Sequence, residues 1–261
     1  MLTTLPHDTE TPDIETSSPE YRSRFSGEVG SFFLECQSHS VLRLIDSLTG
    51  AKAQPAEMTG NNASQPLRIL EVGGGHAQVT RELLSQGYNV VVQGSSAACS
   101  RYLQEESEWQ SSRLEFVASS LWNLPFPDQT FDVVIALRVM AHVKRSQELI
   151  AEMCRVAKQG VIIDYPGKSG INFLTPLLFS VKKKIEGNTR PYFSYQASEI
   201  DSYFTASGFS HLATKKQFVV PMGIHRAVGK KGFSSPIESL CRSLGITALF
   251  GSPAIVCYRK S

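Results

Sequence analysis

The residues of this chain whose types and spacing most directly suggest chemistry are three successive glycines, Gly73-Gly74-Gly75. They follow a short apolar run, Leu67–Val72, broken by one acid, Glu71, and precede Val79, Leu83 and Leu84 at helical spacing. Without Cβ atoms the backbone turns sharply and a ligand can lie against it. The first N–H groups of the following helix have no partner within the helix and face the turn. A dinucleotide fingerprint, G-x-G-x-x-G, fails because Gln78 stands three positions beyond Gly75. The alternative reading of the turn is a tight strand-to-helix bend with no ligand. Four further residues fall at the ends of apolar runs. His142 can take a proton near pH 7 as a neutral imidazole, or it is a half-exposed histidine at a helix start. Asp164 and Tyr165 close the fifth run, where Asp164 is a candidate base or else a capping or ion-paired acid. Arg138 is a charge at the end of an apolar run, placed either to fix a carboxylate or to point to solvent. These readings make His142, Asp164 and Tyr165 the candidate catalytic residues, while His76 is expected to order the glycine loop.

The elements that must hold these residues alternate between strand and helix. Apolar runs at Leu67–Val72, Asn89–Gln93, Leu114–Ser119, Phe131–Leu137 and Val161–Tyr165 read as buried strands. Between them Gly87 ends one helix, Ser95 or Ser96 caps the next, and Ser146 opens a third that Gly160 closes. Strands separated by helices of this length pair in parallel through crossovers. The prediction is an α/β fold: a Rossmann-like, doubly wound, mostly parallel seven-stranded sheet. His211–Met222 and Ala254–Arg259 close it as a C-terminal antiparallel hairpin, with residues 223–252 inserted. A helix over residues 198–208, with a capping pattern from Ser198 and Asp201, precedes that hairpin. Residues 1–19, rich in Thr, Pro, Ser and acids, read as a disordered tail, and residues 20–66 as an N-terminal helix and linker. The main domain spans 67–261 and carries a lid-like insertion, 166–196.

With 26 basic and 24 acidic residues the formal net charge is +2, so no long-range field favours nucleic acid. The five cysteines lack CxxC spacing, which argues against a disulfide framework and a thiolate zinc site, and no metal is expected. The acidic N-terminus lacks a signal pattern and no run of about 18 apolar residues occurs, so a cytoplasmic location is expected.

The stretch Leu70-Glu71-Val72-Gly73-Gly74-Gly75-His76-Ala77 resembles the first motif of the class I S-adenosylmethionine (SAM)-dependent methyltransferases. Leu124-Pro125-Phe126-Pro127-Asp128-Gln129-Thr130-Phe131-Asp132-Val133-Val134 resembles their LPF-x-D-x-[ST]-FD-x-V signature. Val139–Val143 and Arg155-Val156 extend the likeness, which runs from about Leu67 to Gly208 and is nearest to the type 11 group. The resemblance implies SAM as cofactor. Glu71 and Gly73–Gly75 would hold its amino-acid end, Leu121 would lie near the adenine, and Ala136, Leu137 and Arg138 would line the pocket under the sulfonium. Two departures stand out. Gly94, preceded by Gln93, sits where the family places a ribose-binding acid, and Ser120 sits where an adenine-binding Asp is frequent. Gln93, Ser95 and Ser120 are the neutral groups that could serve instead. The implied activity is methyl transfer to a small apolar or aromatic acceptor; the alternative is a SAM-fold binding or regulatory module without turnover. Residues 171–184, an apolar run ending in Lys182-Lys183-Lys184, are a candidate peripheral membrane contact within the insertion.

Overall fold

The structure, a computed structural model, describes residues 11–50, 65–74, 79–105, 107–168 and 193–261. Gly75, His76, Ala77 and Gln78 lie outside the described residues, as do residues 169–192 with the candidate membrane contact at 171–184. Among the described residues seven strands form one sheet: β1 (Arg68–Val72), β2 (Asn89–Gly94), β3 (Leu114–Ala118), β4 (Phe131–Ala136), β5 (Ala157–Tyr165), β6 (Phe209–Phe218) and β7 (Ser252–Lys260). Their spatial order is β3-β2-β1-β4-β5-β7-β6. The first five pair in parallel. β7 runs antiparallel to both β5 and β6, so the reversed strand is the last one. This is the doubly wound sheet with an antiparallel closure expected from the alternation of apolar runs.

Helices cover both faces because both faces of a parallel sheet are apolar. One cluster packs Leu70, Val134 and Ile163 against Leu149 and Met153 of α6 (Ser146–Val156) and against Ile200 and Phe204 of α7 (Ala197–Ala206). The opposite cluster packs Ile69, Ile135 and Ile162 against Leu44, Ile45 and Leu48 of α3 (Gly27–Thr49) and Leu83 of α4 (Thr80–Ser85). A short α5 (Arg101–Gln104) follows a 3-10 turn in which the Ser96 hydroxyl accepts the Ala98 N–H, as its capping role predicts.

Three expectations need correction. Residues 11–19 do not form a free tail: α1 (Pro12–Thr16) and α2 (Pro19–Ser23) are helical, and Asp13 is fully buried. The signal was present in Ser18, whose hydroxyl accepts the Tyr21 N–H, followed by Pro19 at the first helical position. Gly160 does not close a helix. α6 ends at Val156 and β5 begins at Ala157. A Cβ on Gly160 would lie 2.6 Å from the Tyr258 carbonyl oxygen and 2.5 Å from Leu48, so close packing of α3 over the strands demands glycine there. Ser198 does not cap α7, which starts from Gln196 without a side-chain cap; Asp201 instead accepts the Tyr258 hydroxyl at 2.7 Å.

Candidate functional site

In a sheet of this order the crossovers from β1 and from β4 leave on opposite sides, opening a crevice beyond the carboxyl ends of these neighbours. Gly73 turns the chain there with φ +66°, and its N–H donates to the Gln93 carbonyl at 2.9 Å. A Cβ at Gly73 would stand 2.7 Å from Val139, and one at Gly74 would stand 2.7 Å from the Glu71 side chain. Glu71 is buried beneath the turn. The Thr80 hydroxyl donates to it at 2.6 Å, yet burial raises its pKa to about 7. Gln93 works as a strut, its Oε1 accepting the Gly73 N–H at 3.3 Å and its Nε2 donating to the Ser119 carbonyl at 2.8 Å.

Gly94 cannot be an acid in this packing. A Cβ there would lie 2.7 Å from the Cys99 Cβ and 3.0 Å from the Phe116 ring. A carboxylate reaches the place from elsewhere in the chain. Asp13, carried by α1, accepts the Ser95 N–H at 2.5 Å and the Ser95 hydroxyl at 2.6 Å, and the Cys99 thiol lies 3.6 Å away. Burial, and next the charge of Asp13, push the Cys99 thiol up to about 11.

Around the end of β4 the α3 layer contributes a second group of side chains. Arg138 adopts a left-handed φ of +63°, uncommon for a residue with a side chain. Its N–H donates to Asp164 Oδ1 at 2.5 Å. Its Nε and Nη2 donate to Gln37 Oε1 at 3.1 and 2.7 Å, and the guanidinium lies 3.6 Å from the centre of the Phe25 ring. Arg138 therefore does not extend into open solvent. Its Nη1 and the Gln37 Nε2 are both buried without a hydrogen-bond partner in the protein. Asp164 is buried, and that burial raises its pKa to about 6 against the hydrogen bond from Arg138. Tyr21 of α2 adjoins Arg138 and Asp164, and burial raises its pKa as well.

The structure thus brings Glu71, Gly73, Gly74, Gln93, Gly94 and Ser95 to one end of the crevice. Arg138 and Asp164 stand at the other. Ala136 and Leu137 are buried at the end of β4 between them. Tyr165 cannot join Asp164, since adjacent strand residues point to opposite faces; its ring meets Tyr195 edge-on at 6.2 Å in the other cluster. Leu121 is likewise fully buried in that cluster. The Ser120 hydroxyl accepts the Trp122 N–H at 3.2 Å. His142, half-buried, lies in the 3-10 turn Met140–His142; the Tyr195 hydroxyl lies 3.0 and 2.9 Å from the Met140 and Val143 carbonyls of this turn. Asp13, Tyr21, Phe25 and Gln37 went unrecognised as site residues in the sequence because each depends on a contact far along the chain. Among the described residues no group of His, Cys, Asp or Glu is placed to hold a metal ion. No helix among them is long and apolar enough to cross a membrane.

The sheet order, the glycine turn and the flanking layers define the fold of the class I methyltransferases. Residues 70–163, from β1 to β5, match the sequence model of the methyltransferase domain family. Over 136 residues the chain is 26% identical to ajmaline N-methyltransferase of Rauvolfia serpentina, covering 48% of this chain and 42% of that protein. A sterol 24-C-methyltransferase of Gibberella zeae is 29% identical over 102 residues, 37% of this chain and 26% of that protein. The matched region thus spans less than half the length of these relatives. Among solved structures, magnesium protoporphyrin IX methyltransferase from Synechocystis PCC 6803 with bound SAH superposes at a TM-score of 0.60 with 16% identity, covering 95% of this chain and 97% of that one. The [4+2]-cyclase SpnF superposes at 0.52 with 17% identity, covering 84% and 92%.

Proposed function

We propose that this protein transfers a methyl group from SAM to a small, largely apolar or aromatic acceptor. The observation that carries this reading is the buried acid under the Gly73-Gly74 turn at the carboxyl end of β1. The local chemistry suits the cofactor: two glycines that leave the backbone without a Cβ, an acid beneath them, and a second carboxylate, Asp13, at the end of β2. Glu71 and the Gly73–Gly75 turn would hold the amino-acid end. Asp13 and Ser95 would serve the ribose in place of the acid that Gly94 cannot provide, and Ser120 and Leu121 would stand nearest the adenine. Bound SAM supplies a methyl group on a good leaving group, so alignment and exclusion of water are the protein's main tasks.

The acceptor would lie toward Arg138. The unpartnered N–H groups of Arg138 and Gln37 suit a carbonyl or carboxylate oxygen, and the Phe25 ring suits an apolar body. Asp164, with a pKa near 6, is the best placed of the predicted bases to accept a proton at neutral pH; His142 is the next candidate. The acceptors named for the similar proteins, ajmaline, a sterol and magnesium protoporphyrin IX, are in keeping with a small-molecule substrate. The reading as a non-catalytic module rested on missing acids, and Asp13 supplies one of them. Titration calorimetry with SAM and its demethylated product tests the cofactor, and transfer of labelled methyl into a cell extract tests turnover. Absence of heat and of any melting shift at millimolar SAM refutes the proposal.

A further inference from the structure

The connection between β6 and β7 is a helical insertion of α8 (Met222–Val228), α9 (Lys231–Ser243) and α10 (Ile246–Phe250). Its place follows from the strand register. Phe218 pairs with Ser252, and Tyr165 pairs with Ala254, so the insertion leaves the sheet at the carboxyl edge where the candidate site opens. Apart from Ile14, every large apolar side chain exposed among the described residues lies between Ile224 and Phe250. Leu240, Leu244 and Leu249 are 60%, 64% and 66% exposed. On α9 the apolar residues Phe233, Ile237 and Leu240, with Leu244 just beyond, recur at spacings of four, three and four and share one face. The adjacent face carries Ser234, Glu238 and Cys241 inward.

That inward face is firmly held. Glu238 accepts the Val219 and Val220 N–H groups at 3.0 and 2.9 Å and meets His225 Nε2 at 3.0 Å. His225 Nδ1 lies 2.9 Å from the Ser234 hydroxyl. The outward face therefore cannot turn in without breaking a buried network. Charge identifies what it fits. Residues 222–251 hold Arg226, Lys230, Lys231 and Arg242 against a single acid, the buried Glu238. Lys231 pairs with Glu35 of α3, and Arg226, Lys230 and Arg242 are exposed on the same insertion as the apolar side chains.

We propose that this insertion is a peripheral membrane anchor that rests on anionic lipid, its apolar face among the acyl chains and its cations at the headgroups. A second copy of the chain fits less well, because two such faces would oppose like charges. The anchor would bring the mouth of the site to the surface from which an apolar acceptor can be drawn. It does not depend on methyl transfer, so its test involves no turnover.

The test is sedimentation of the full chain with vesicles of phosphatidylcholine alone and of phosphatidylcholine with phosphatidylglycerol. The expected result is binding to the anionic vesicles that weakens with salt. Leu240→Glu with Leu244→Glu should reduce that binding at least about tenfold with an unchanged circular dichroism spectrum. Lys230→Glu should reduce binding to anionic vesicles while leaving the apolar stripe intact. No sedimentation with anionic vesicles, or equal binding by the leucine variant, overturns the proposal. So does a dimer in gel filtration that the leucine variant splits.

Discussion

Glu71 allows the reading of the glycine turn to be tested through stability as well as activity. Its carboxyl is buried and its pKa stands at about 7 against an ordinary 4.5. Each tenfold change in proton affinity is about 1.36 kcal/mol, so ionising Glu71 in the folded protein costs roughly 3 kcal/mol. The folded state holds the proton more tightly than the unfolded chain. This favourable contribution is therefore complete below about pH 4.5 and is lost as pH rises to about 7. Glu71→Gln removes the ionisation and keeps an oxygen for the Thr80 hydroxyl, at the cost of about 1 kcal/mol for an unpaired amide N–H. The variant should thus exceed the parent by about 2 kcal/mol at pH 8, or roughly 4–8 °C in melting temperature. The advantage should shrink and then reverse between pH 7 and 5. Urea unfolding of both proteins across this range gives the difference directly, and Asp164, present in both, cancels. A variant-minus-parent difference that does not change with pH refutes the reasoning. If the ammonium of SAM meets this carboxylate, binding near pH 6.5 should also release a proton, visible as a dependence of the calorimetric heat on the buffer's ionisation enthalpy. The variant should bind SAM weakly and without that release.

Asp13→Ala removes the acceptor of the Ser95 N–H and hydroxyl and should cost about 2–4 kcal/mol in urea unfolding and at least about tenfold in SAM affinity by calorimetry. Gly94→Asp, which places an acid where the resemblance expects one, should lower stability by about 2–4 kcal/mol, because its Cβ would stand 2.7 Å from that of Cys99; improved SAM binding in this variant would contradict the assignment to Asp13. Gln37→Leu should raise the acceptor KM roughly tenfold with SAM affinity unchanged, measured once labelled transfer has identified an acceptor. Tyr195→Phe takes a donor from the Met140 and Val143 carbonyls and should lower kcat several-fold through looser placement of His142, while the free energy of urea unfolding falls by no more than about 1–2 kcal/mol.

The sheet was legible because buried parallel strands must be short and apolar, and the runs ending at Val72, Gln93 and Tyr165 leave little choice of period. An antiparallel closure was legible from the two β-rich stretches near the C-terminus, though not which of them is reversed. Less was legible of the site. Asp13 meets Ser95 across 82 residues, and a carboxylate within an acidic, proline-containing stretch gives no local sign that it will be buried. Gly160 read as a helix stop because glycine often is one, whereas here it is dictated by Leu48 and the Tyr258 carbonyl, neither of which is near it in sequence. The failure of Tyr165 to accompany Asp164 could have been read in advance from strand alternation alone.

These misses share a cause that bears on how the fold acquires a specific chemistry. The stretch matched by the methyltransferase domain, residues 70–163, contains the glycine turn, Glu71 and the end of β4, yet it contains neither Asp13 nor Tyr21, Phe25 and Gln37. Those four come from α1 to α3. They place a carboxylate at the end of β2 and cover Arg138, and Gln37 shares with Arg138 the pair of N–H groups left without a partner. A scaffold that superposes on both a porphyrin methyltransferase and a [4+2]-cyclase cannot by itself choose a reaction. The choice must come from what is laid over it. In this chain that layer includes the N-terminal helices, so substitutions in residues 12–37 should alter ligand affinity and acceptor preference, while those on the sheet-facing side of α6 should alter stability alone.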